Sequence, residues 1–265
     1  MRAVSVAVVG NLSLDLVDGG PPRVGGPPYY ASRALAALAV PATVRVKCAP
    51  ADRPAFEPAL RDVRIEWLPG TSTATYAFSY DGDARTMDVR ALGDRWRPDD
   101  VGGLDVDWVH VGALFRGEFP AETLAALHGS GARISLDGQG LVRPAREGPL
   151  GLEPEPDLSF LRHVSVLKLS EEEARTLVGS LEERALSALG VPEIVVTFGS
   201  RGSVVVARRT LVHVPAEPAG EIDPTGAGDA FAAAYVVARS RGHAPRRAAE
   251  RATRVVSRVL ARAAR

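Results

Sequence analysis

The sequence alternates between short, mostly apolar runs and stretches of helical composition over most of its 265 residues. Such runs are typical of strands that are buried on both faces of a sheet. Strands spaced by helices imply right-handed crossovers, which produce a mainly parallel sheet. We therefore predict an α/β fold in which helices flank both faces of a doubly wound sheet. The predicted strands cover residues 3–9, 42–49, 107–114, 132–137, 164–169 and 193–198, and the predicted helices cover residues 27–40, 120–128, 170–178 and 181–189.

One segment departs from this alternation, because two extended runs follow each other with no helix between them. Residues 71–80 and 85–92 flank a short turn, and aromatic residues alternate with small ones in the first run. The pattern predicts a β-hairpin with one half-apolar face. In a parallel α/β protein such an insertion is a candidate lid or subunit contact, although an ordinary edge hairpin has the same pattern.

Composition excludes several classes of protein. The chain is 46% hydrophobic and 24% charged, which excludes a disordered tail. The single Cys48 permits no internal disulfide, and no Cys/His pair has zinc spacing. No apolar run approaches the roughly 20 residues that span a bilayer, and the apolar start is too short for a signal peptide. We therefore expect a cytoplasmic protein without a membrane partner.

Charge argues against nucleic acid as a partner. The formal net charge is zero, whereas proteins that bind nucleic acid through bulk electrostatics are basic. Residues 239–265 do hold nine Arg against the single acid Glu250, at helical spacing. We interpret them as the solvated face of a terminal amphipathic helix. A nucleic-acid-binding stripe is the alternative, but the segment lacks interleaved aromatic residues and a recognised motif.

The most informative run is Glu-Ile-Asp-Pro-Thr-Gly-Ala-Gly-Asp-Ala-Phe at residues 221–231, followed by an Ala-rich stretch. Pro224 does not fit a helix interior, whereas the residues after Gly228 favour a helix, so residues 225–228 open one. Glycines let the backbone approach a ligand, and the first N–H groups of a helix lack partners at the positive end of its dipole. The run predicts an anion site suited to a phosphoryl group in transfer.

Asp229 follows in the first turn of that helix. A carboxylate there can simply complement the helix dipole. It can also take the proton from a substrate hydroxyl that attacks a γ-phosphate.

The string from Asp223 to Phe231 closely resembles the C-terminal signature of the ribokinase (PfkB-type) carbohydrate kinase family. Members fold as a doubly wound α/β domain with a small β lid and transfer phosphate from ATP to a sugar, nucleoside or polyol. The resemblance covers nearly the whole chain and implies a single ribokinase-like domain over residues 1–265, with a lid formed by about residues 12–26 and 71–92. It also implies that the region of Asp223 helps to hold a monovalent cation such as K⁺. Since 265 residues are short for this family, we expect a reduced lid that either closes incompletely or borrows a strand from the partner in a homodimer.

Other segments are similar to further family motifs. Residues 10–15 resemble the first strand and turn, whose Asp holds substrate hydroxyls, and Gly25-Gly26 resembles the paired-glycine motif. Residues 168–173 resemble an Asn-x-x-Glu motif that positions magnesium and phosphates through water, but Ser170 stands in place of the Asn. The same residues also fit a capping box, and both interpretations can hold together. Residues 197–202 resemble the Thr-x-Gly-x-x-Gly strand end that borders the nucleotide.

The run from Asp137 to Arg143 follows a predicted strand, so it lies at the carboxyl edge of the sheet, where ligands bind. Gln139 offers a donor and an acceptor to a polyhydroxy substrate, and Arg143 can neutralise phosphate charge. Either could equally be a surface loop residue. Together with Gly25-Gly26 and the strand end at residues 110–112, this run resembles the myo-inositol kinase branch more than ribokinase itself.

We therefore predict an ATP- and Mg²⁺-dependent kinase that phosphorylates a small polyol or sugar, with myo-inositol as a candidate acceptor. A nucleoside kinase stays open, because Tyr29, Tyr30 and the aromatic residues of the hairpin could form a slot for a base. A non-catalytic binding protein is favoured only by Ser170. The motifs and the resemblance assign catalysis to Asp229, Gly226, Ala227, Gly228 and Arg143, acceptor binding to Asn11, Asp15, Gly25, Gly26 and Gln139, donor binding to Lys168, Thr197, Gly199, Gly202 and Thr225, and a magnesium contact to Glu173.

Overall fold

Nine strands form one large sheet in the computed structural model, which describes residues 5–81, 84–217 and 224–263. Seven neighbouring strands run parallel, and the last two form an antiparallel edge. The order across the sheet is β14 (Thr210–Val214), β13 (Ser203–Ala207), β12 (Glu193–Thr197), β11 (Val164–Ser170), β9 (Arg133–Asp137), β8 (Trp108–Gly112), β1 (Val6–Asn11), β4 (Ala42–Lys47) and β5 (Arg64–Trp67).

Helices cover both faces of this sheet. Alternate residues of β1 show the division, because Val6 and Val8 belong to one apolar cluster while Ala7 and Val9 belong to the other. α1 (Pro27–Ala37), α2 (Arg53–Leu60), α7 (Ala227–Ser240) and α8 (Pro245–Ala263) pack on the first face, and α3 (Ala121–Gly129), α4 (Gln139–Val142), α5 (Glu171–Val178) and α6 (Glu183–Ser187) pack on the second. The predicted doubly wound α/β fold is confirmed.

A second sheet of five strands lies apart from the large one. Its strands in order are β10 (Gly148–Pro149), β7 (Ala84–Ala91), β6 (Ala74–Asp81), β2 (Ser13–Val17) and β3 (Arg23–Gly25). Its buried side chains Ala74, Tyr76 and Phe78 pack against Leu114 and Phe115, which follow β8. The small sheet therefore covers the carboxyl end of the central strands, and its action as a lid stays a prediction.

Two elements of the fold were not predicted from the sequence. Residues 53–60 form α2 although Pro58 lies inside it, since Pro54 starts the helix without cost and Pro58 removes only one hydrogen bond. The segment 143–156, whose Pro, Gly and Glu content is typical of a loop, contributes the two-residue strand β10 to the small sheet. Among the described residues, no helix is long and apolar enough to cross a membrane.

Candidate active site

The centre of the large sheet is a topological switch point. The chain leaves β1 towards β4 on one side, and β8 later joins β1 on the other side. Crevices at the carboxyl ends of such strands are where open α/β sheets bind ligands. Asn11, Asp137 and Ser170 end β1, β9 and β11 at this edge, so the sheet brings residues from distant parts of the sequence together there.

The start of α7 has the geometry expected of an anion site. Gly226 is the N-cap, with a φ of 75° that favours glycine. A Cβ at Gly226 would overlap the ring of Tyr30 in α1, so this position needs glycine on two grounds. Ala227 donates its N–H to the carbonyl of Pro224 over 3.0 Å, which fixes the turn into the helix. Asp223 lies outside the described residues.

Asp229 lies in the first turn of α7 and is 8% exposed. Its Oδ1 atom is buried and accepts no hydrogen bond from the described residues. Burial, followed by the negative charge of Asp137, raises the pKa of Asp229 to about 7, although Lys168 and Arg143 oppose the rise. A carboxylate with a pKa near neutrality can exchange a proton at physiological pH, as a general base requires.

Lys168 is the buried cation of this site. Its Nζ lies 3.2 Å from Oδ2 of Asp137. Burial disfavours its charge, but Asp137, Glu173 and Asp229 outweigh burial and raise the pKa of Lys168 above its usual value. A Cβ on Gly228 would lie 2.8 Å from Nζ, so the ammonium group lies directly against the start of α7. A fixed positive charge and a helix N-terminus thus face the same space.

Glu173 and Ser170 form the predicted capping box at the start of α5. The Ser170 N–H donates to Oε2 of Glu173 over 2.8 Å, and the Glu173 N–H donates to the Ser170 hydroxyl over 3.2 Å. Burial raises the pKa of Glu173. A Cβ on Gly138 would lie 2.9 Å from Oε2, so the carboxylate also adjoins the end of β9.

The run after β9 enters a single helical turn instead of an open loop. Gln139 begins α4, is 9% exposed, and donates its N–H to Oδ1 of Asp137 over 3.1 Å. Arg143 ends this turn, and its charge opposes the rise in the pKa values of Asp229 and Glu173. The short helix therefore places Gln139 and Arg143 beside the buried carboxylates.

Asp15 and the paired glycines meet where the small sheet joins β1. The Ser13 hydroxyl donates to Oδ1 of Asp15 over 2.9 Å, and a Cβ on Gly25 would overlap the Asp15 carboxylate. Gly26 has a φ of 94° and would press a Cβ against the carbonyl oxygen of Asn11 at 2.8 Å. Glycine at both positions lets the backbone before α1 pass close to Asp15.

Asn11, predicted to bind the acceptor, uses its side chain within the protein. Its Nδ2 donates to the Asp94 carbonyl over 2.7 Å, and its Oδ1 accepts from Nε1 of Trp96 over 3.3 Å. The residue is 1% exposed. These contacts give Asn11 a positioning role for residues 94–96.

The residues predicted to border the nucleotide lie one strand further along the edge. The Thr197 hydroxyl, at the end of β12, donates to the Leu169 carbonyl over 3.2 Å. Gly199 is exposed, and Gly202 has a φ of 93° at a position where a Cβ would overlap the Val214 carbonyl oxygen. Thr225 precedes the N-cap of α7. Thr197 thus lies beside β11 in the sheet, and the roles of these four residues in binding a nucleotide stay predictions.

Three residues near the site were not among the predicted site residues. Asp137 is fully buried and pairs with Lys168. Glu118 accepts from the N–H groups of Leu114 and Phe115, and burial raises its pKa to about 8. Tyr76 directs its side chain inward from the small sheet. Two of them had a signal in the sequence, since Asp137 ends a predicted strand and Tyr76 is one of the alternating aromatic residues of the predicted hairpin.

The donor set disfavours a metal bound by protein ligands alone. Among the described residues, no three His, Cys, Asp or Glu side chains are grouped so that they could hold an ion. The carboxylates of Asp137, Glu173 and Asp229 surround an ammonium group instead. This set fits a magnesium ion that arrives with donor phosphates and keeps most of its waters.

Known proteins share both the sequence pattern and this architecture. A family model described as "pfkB family carbohydrate kinase" matches residues 107–263. A fructokinase from Salmonella thompson is 27% identical over 149 residues, which are 52% of this chain and 66% of that protein. The match therefore spans just under two thirds of that relative's length.

Two solved structures share the fold over nearly their full lengths. One is a pyrophosphate-dependent kinase in the ribokinase family, complexed with a pyrophosphate analog and myo-inositol, with a TM-score of 0.86 and 23% identity over 96% of this chain and 94% of that one. The other is an Arabidopsis thaliana ribokinase complexed with ribose and ATP, with a TM-score of 0.74 and 20% identity over 97% of this chain and 92% of that one.

Proposed function

The chain belongs to the pfkB family of carbohydrate kinases, and from this premise we propose that it transfers a phosphoryl group to a hydroxyl of a small polyol or sugar. The observation that carries the proposal is Asp229, a buried carboxylate with an oxygen that lacks a partner among the described residues, at the start of α7 and beside Lys168. A group that only complemented the helix dipole would not need to be buried.

The proposed reaction starts with an acceptor hydroxyl near Oδ1 of Asp229. The hydroxyl oxygen attacks the terminal phosphorus of the donor, and Asp229 takes the hydroxyl proton as the new O–P bond forms. The bond between that phosphorus and the bridging oxygen of the donor breaks, and the remaining phosphate or nucleotide leaves with the electron pair. The Lys168 ammonium and the N–H groups of Gly226 and Gly228 stabilise the charge on the phosphoryl oxygens. The Ala227 N–H, predicted from the resemblance to join them, is bonded to the Pro224 carbonyl instead.

We assign acceptor binding to the side of the site opposite Lys168 and the start of α7. Asp15 can accept from two neighbouring hydroxyls, and Gln139 can both donate and accept. Arg143, close enough to lower the pKa of Asp229, balances charge between acceptor and donor. These polar groups favour a polyhydroxy acceptor, and myo-inositol is our first candidate because a structure of the same fold contains it.

Magnesium would be held through water by Glu173, beside the donor phosphates. Bound there, the ion supplies charge neutralisation between the phosphates. Ser170 fills the place of the family's Asn, and its hydroxyl already accepts from the Glu173 N–H. A monovalent cation near Asp223 stays part of the prediction from the resemblance.

The donor has two candidates that share a phosphoanhydride. ATP is the donor predicted from the sequence and bound in the Arabidopsis ribokinase structure. Pyrophosphate is favoured by the solved structure with the TM-score of 0.86, a pyrophosphate-dependent kinase. The anion site at α7 and Lys168 would hold the terminal phosphates of either donor.

Phosphorus NMR of the products tests the proposal independently of the donor. The purified chain is incubated with Mg²⁺ and either ATP or pyrophosphate, and with myo-inositol, ribose, fructose, adenosine or cytidine. We expect a phosphate monoester of a polyol or sugar. Transfer to a nucleoside alone would establish the nucleoside kinase instead. An absence of transfer from both donors to every acceptor would favour the non-catalytic binding protein.

Two further proposals concern the location and the assembly of the protein. We propose that the protein acts in the cytoplasm, without a nucleic-acid partner. We also propose a homodimer through the small sheet, and sedimentation of a strict monomer at micromolar concentration would contradict it.

A further inference from the structure

Tyr76 places a polar group in an apolar setting. It lies in β6 of the small sheet, is 3% exposed, and packs with Phe78 and with Leu114 and Phe115. Its hydroxyl oxygen is buried and makes no well-formed hydrogen bond within the described part of the chain, although the Arg143 guanidinium lies close enough to act on it. A buried hydroxyl without a well-aligned partner costs free energy, so its retention calls for an explanation from the site that it faces.

The strand register brings this hydroxyl to the acceptor side. β2 and β6 run parallel, and Asp15 pairs directly with Tyr76 across them. Ser13, whose hydroxyl donates to Asp15, pairs with Ala74 on the same face. Directly paired residues of neighbouring strands project to the same side of a sheet. Tyr76 and Asp15 therefore face the same crevice.

Besides its apolar neighbours, Tyr76 has three ionisable residues close enough to act on its hydroxyl, namely Glu118, Asp15 and Arg143. Burial raises its pKa above the usual value, Glu118 and Asp15 add to the rise, and Arg143 opposes it. The hydroxyl therefore stays protonated and can both donate and accept. An ionised carboxylate such as Asp15 only accepts and a guanidinium only donates, whereas the Tyr76 hydroxyl can do both.

We propose that the Tyr76 hydroxyl binds a hydroxyl of the acceptor next to the one held by Asp15, so that the small sheet selects acceptors with a vicinal diol. The inference rests on the proposed function. Asp15 accepts from one hydroxyl, and Tyr76 exchanges a hydrogen bond with its neighbour on the adjacent carbon. The donor is not part of this contact, because Lys168 and the start of α7 form a different side of the site.

Tyr76→Phe removes only the hydroxyl and tests the inference. We expect calorimetry with the best acceptor of the panel to show affinity lowered by roughly 10-fold or more, with donor affinity unchanged. We also expect an unchanged or higher Tm, because the lost hydroxyl makes no well-formed hydrogen bond within the described residues. A structural tyrosine would instead lower the Tm and leave acceptor preference intact.

Monodeoxy analogues of that acceptor identify the hydroxyl that is recognised. One analogue should bind the wild-type protein as weakly as the parent acceptor binds Tyr76→Phe, and it should lose nothing further in the variant. Tyr235→Phe is the matched control, since Tyr235 is buried and donates its hydroxyl to Glu193 away from the site. It should lower the Tm and keep wild-type acceptor affinity.

The outcomes separate this inference from the proposed function. If the wild-type protein phosphorylates an acceptor and Tyr76→Phe binds that acceptor with unchanged affinity, the role of Tyr76 is wrong and the kinase function stands. If the wild-type protein neither binds nor phosphorylates any acceptor of the panel, both are wrong.

Discussion

The Nζ atom of Lys168 fills the space beside Gly228 that a side chain would otherwise occupy: a Cβ built on Gly228 would lie 2.8 Å from Nζ and 3.4 Å from Cε. Two sources of positive potential, an ammonium group and a helix N-terminus, are thereby brought to one point. Asp137 holds the ammonium group from the other side at 3.2 Å. Because Gly228 has no side chain, it leaves room for the Lys168 ammonium group as well as for a ligand.

Gly228→Ala should displace the Lys168 ammonium group from the anion site. The end of a lysine side chain is flexible, so we expect the protein to fold and the ammonium to move by several tenths of an ångström. Donor binding should weaken because the charge is no longer beside the phosphates. Steady-state kinetics should show a donor KM raised by about 10-fold, with the acceptor KM nearly unchanged.

Gly129→Ala is the matched control for that variant. Gly129 ends α3, and a Cβ there has no heavy atom within 4 Å. Alanine should keep wild-type kinetics and leave stability equal or slightly higher. Equal donor KM values for the wild type, Gly228→Ala and Gly129→Ala would contradict the role of Lys168 at the anion site.

Asp229→Asn should abolish transfer and remove its dependence on pH. The base must be ionised, and burial raises its pKa to about 7, so kcat/KM of the wild type should rise with pH and level off above 7. We expect the variant to lose at least roughly 10³-fold in kcat. A pH series from 5.5 to 8.5 measures the first effect, and a kcat/KM that is flat across it would contradict the assignment.

The same substitution should stabilise the fold at high pH. A carboxyl whose folded pKa is raised from 3.8 to about 7 holds its proton more tightly in the folded state, so wild-type stability falls as pH rises through that interval. Asn does not titrate. The Tm of Asp229→Asn should therefore exceed the wild-type Tm by more at pH 8.5 than at pH 5.5. Asp62→Asn, at an exposed position, is the control and should show no such trend.

How far the sequence predicts this protein depends on how local each signal is. Local patterns identified the strands around the switch point and the start of α7, because Pro224 and Gly226 limit the backbone by themselves. The hairpin of β13 and β14 gave no such signal. Its two-residue turn consists of Arg208 and Arg209, with φ values of 51° and 58°, where Asn-Gly would be expected.

Contacts between distant strands account for the rest of the site. In the sequence, Tyr76 is one of several aromatic residues that alternate with small ones along a predicted strand. Only the pairing of β6 with β2 places it beside Asp15. Glu118 lies in an irregular segment, and its role depends on the N–H groups of Leu114 and Phe115. Asn11 was predicted from a motif to touch the acceptor, whereas its amide contacts Asp94 and Trp96. Such partners are fixed by tertiary packing.

Gly226→Ala should disrupt the anion site far more than the same change elsewhere. Alanine would be strained at a φ of 75°, and its Cβ would overlap the Tyr30 ring, so α1 and α7 would have to separate. We expect kcat to fall by at least about 100-fold. Gly242→Ala provides the control, because Gly242 has a φ of 82° with no atom near its Cβ position. It should cost roughly 1 kcal/mol of stability through backbone strain and keep wild-type kcat. Similar kcat losses in both variants would show that strain alone is responsible.

Glu118→Gln should alter how stability depends on pH. Burial raises the pKa of Glu118 from 4.5 to about 8, so the folded wild type holds this proton more tightly than the unfolded chain and loses stability as pH rises between those values. Gln mimics the protonated carboxyl, and its carbonyl can still accept from the N–H groups of Leu114 and Phe115. Urea unfolding should show similar stability for the two proteins at pH 5 and a growing advantage for the variant up to pH 8.5. Glu122→Gln, at an exposed position in α3, should follow the wild type throughout. A variant that is destabilised equally at every pH would mean that Glu118 is ionised in the folded protein and that its charge supports the backbone of residues 114–118.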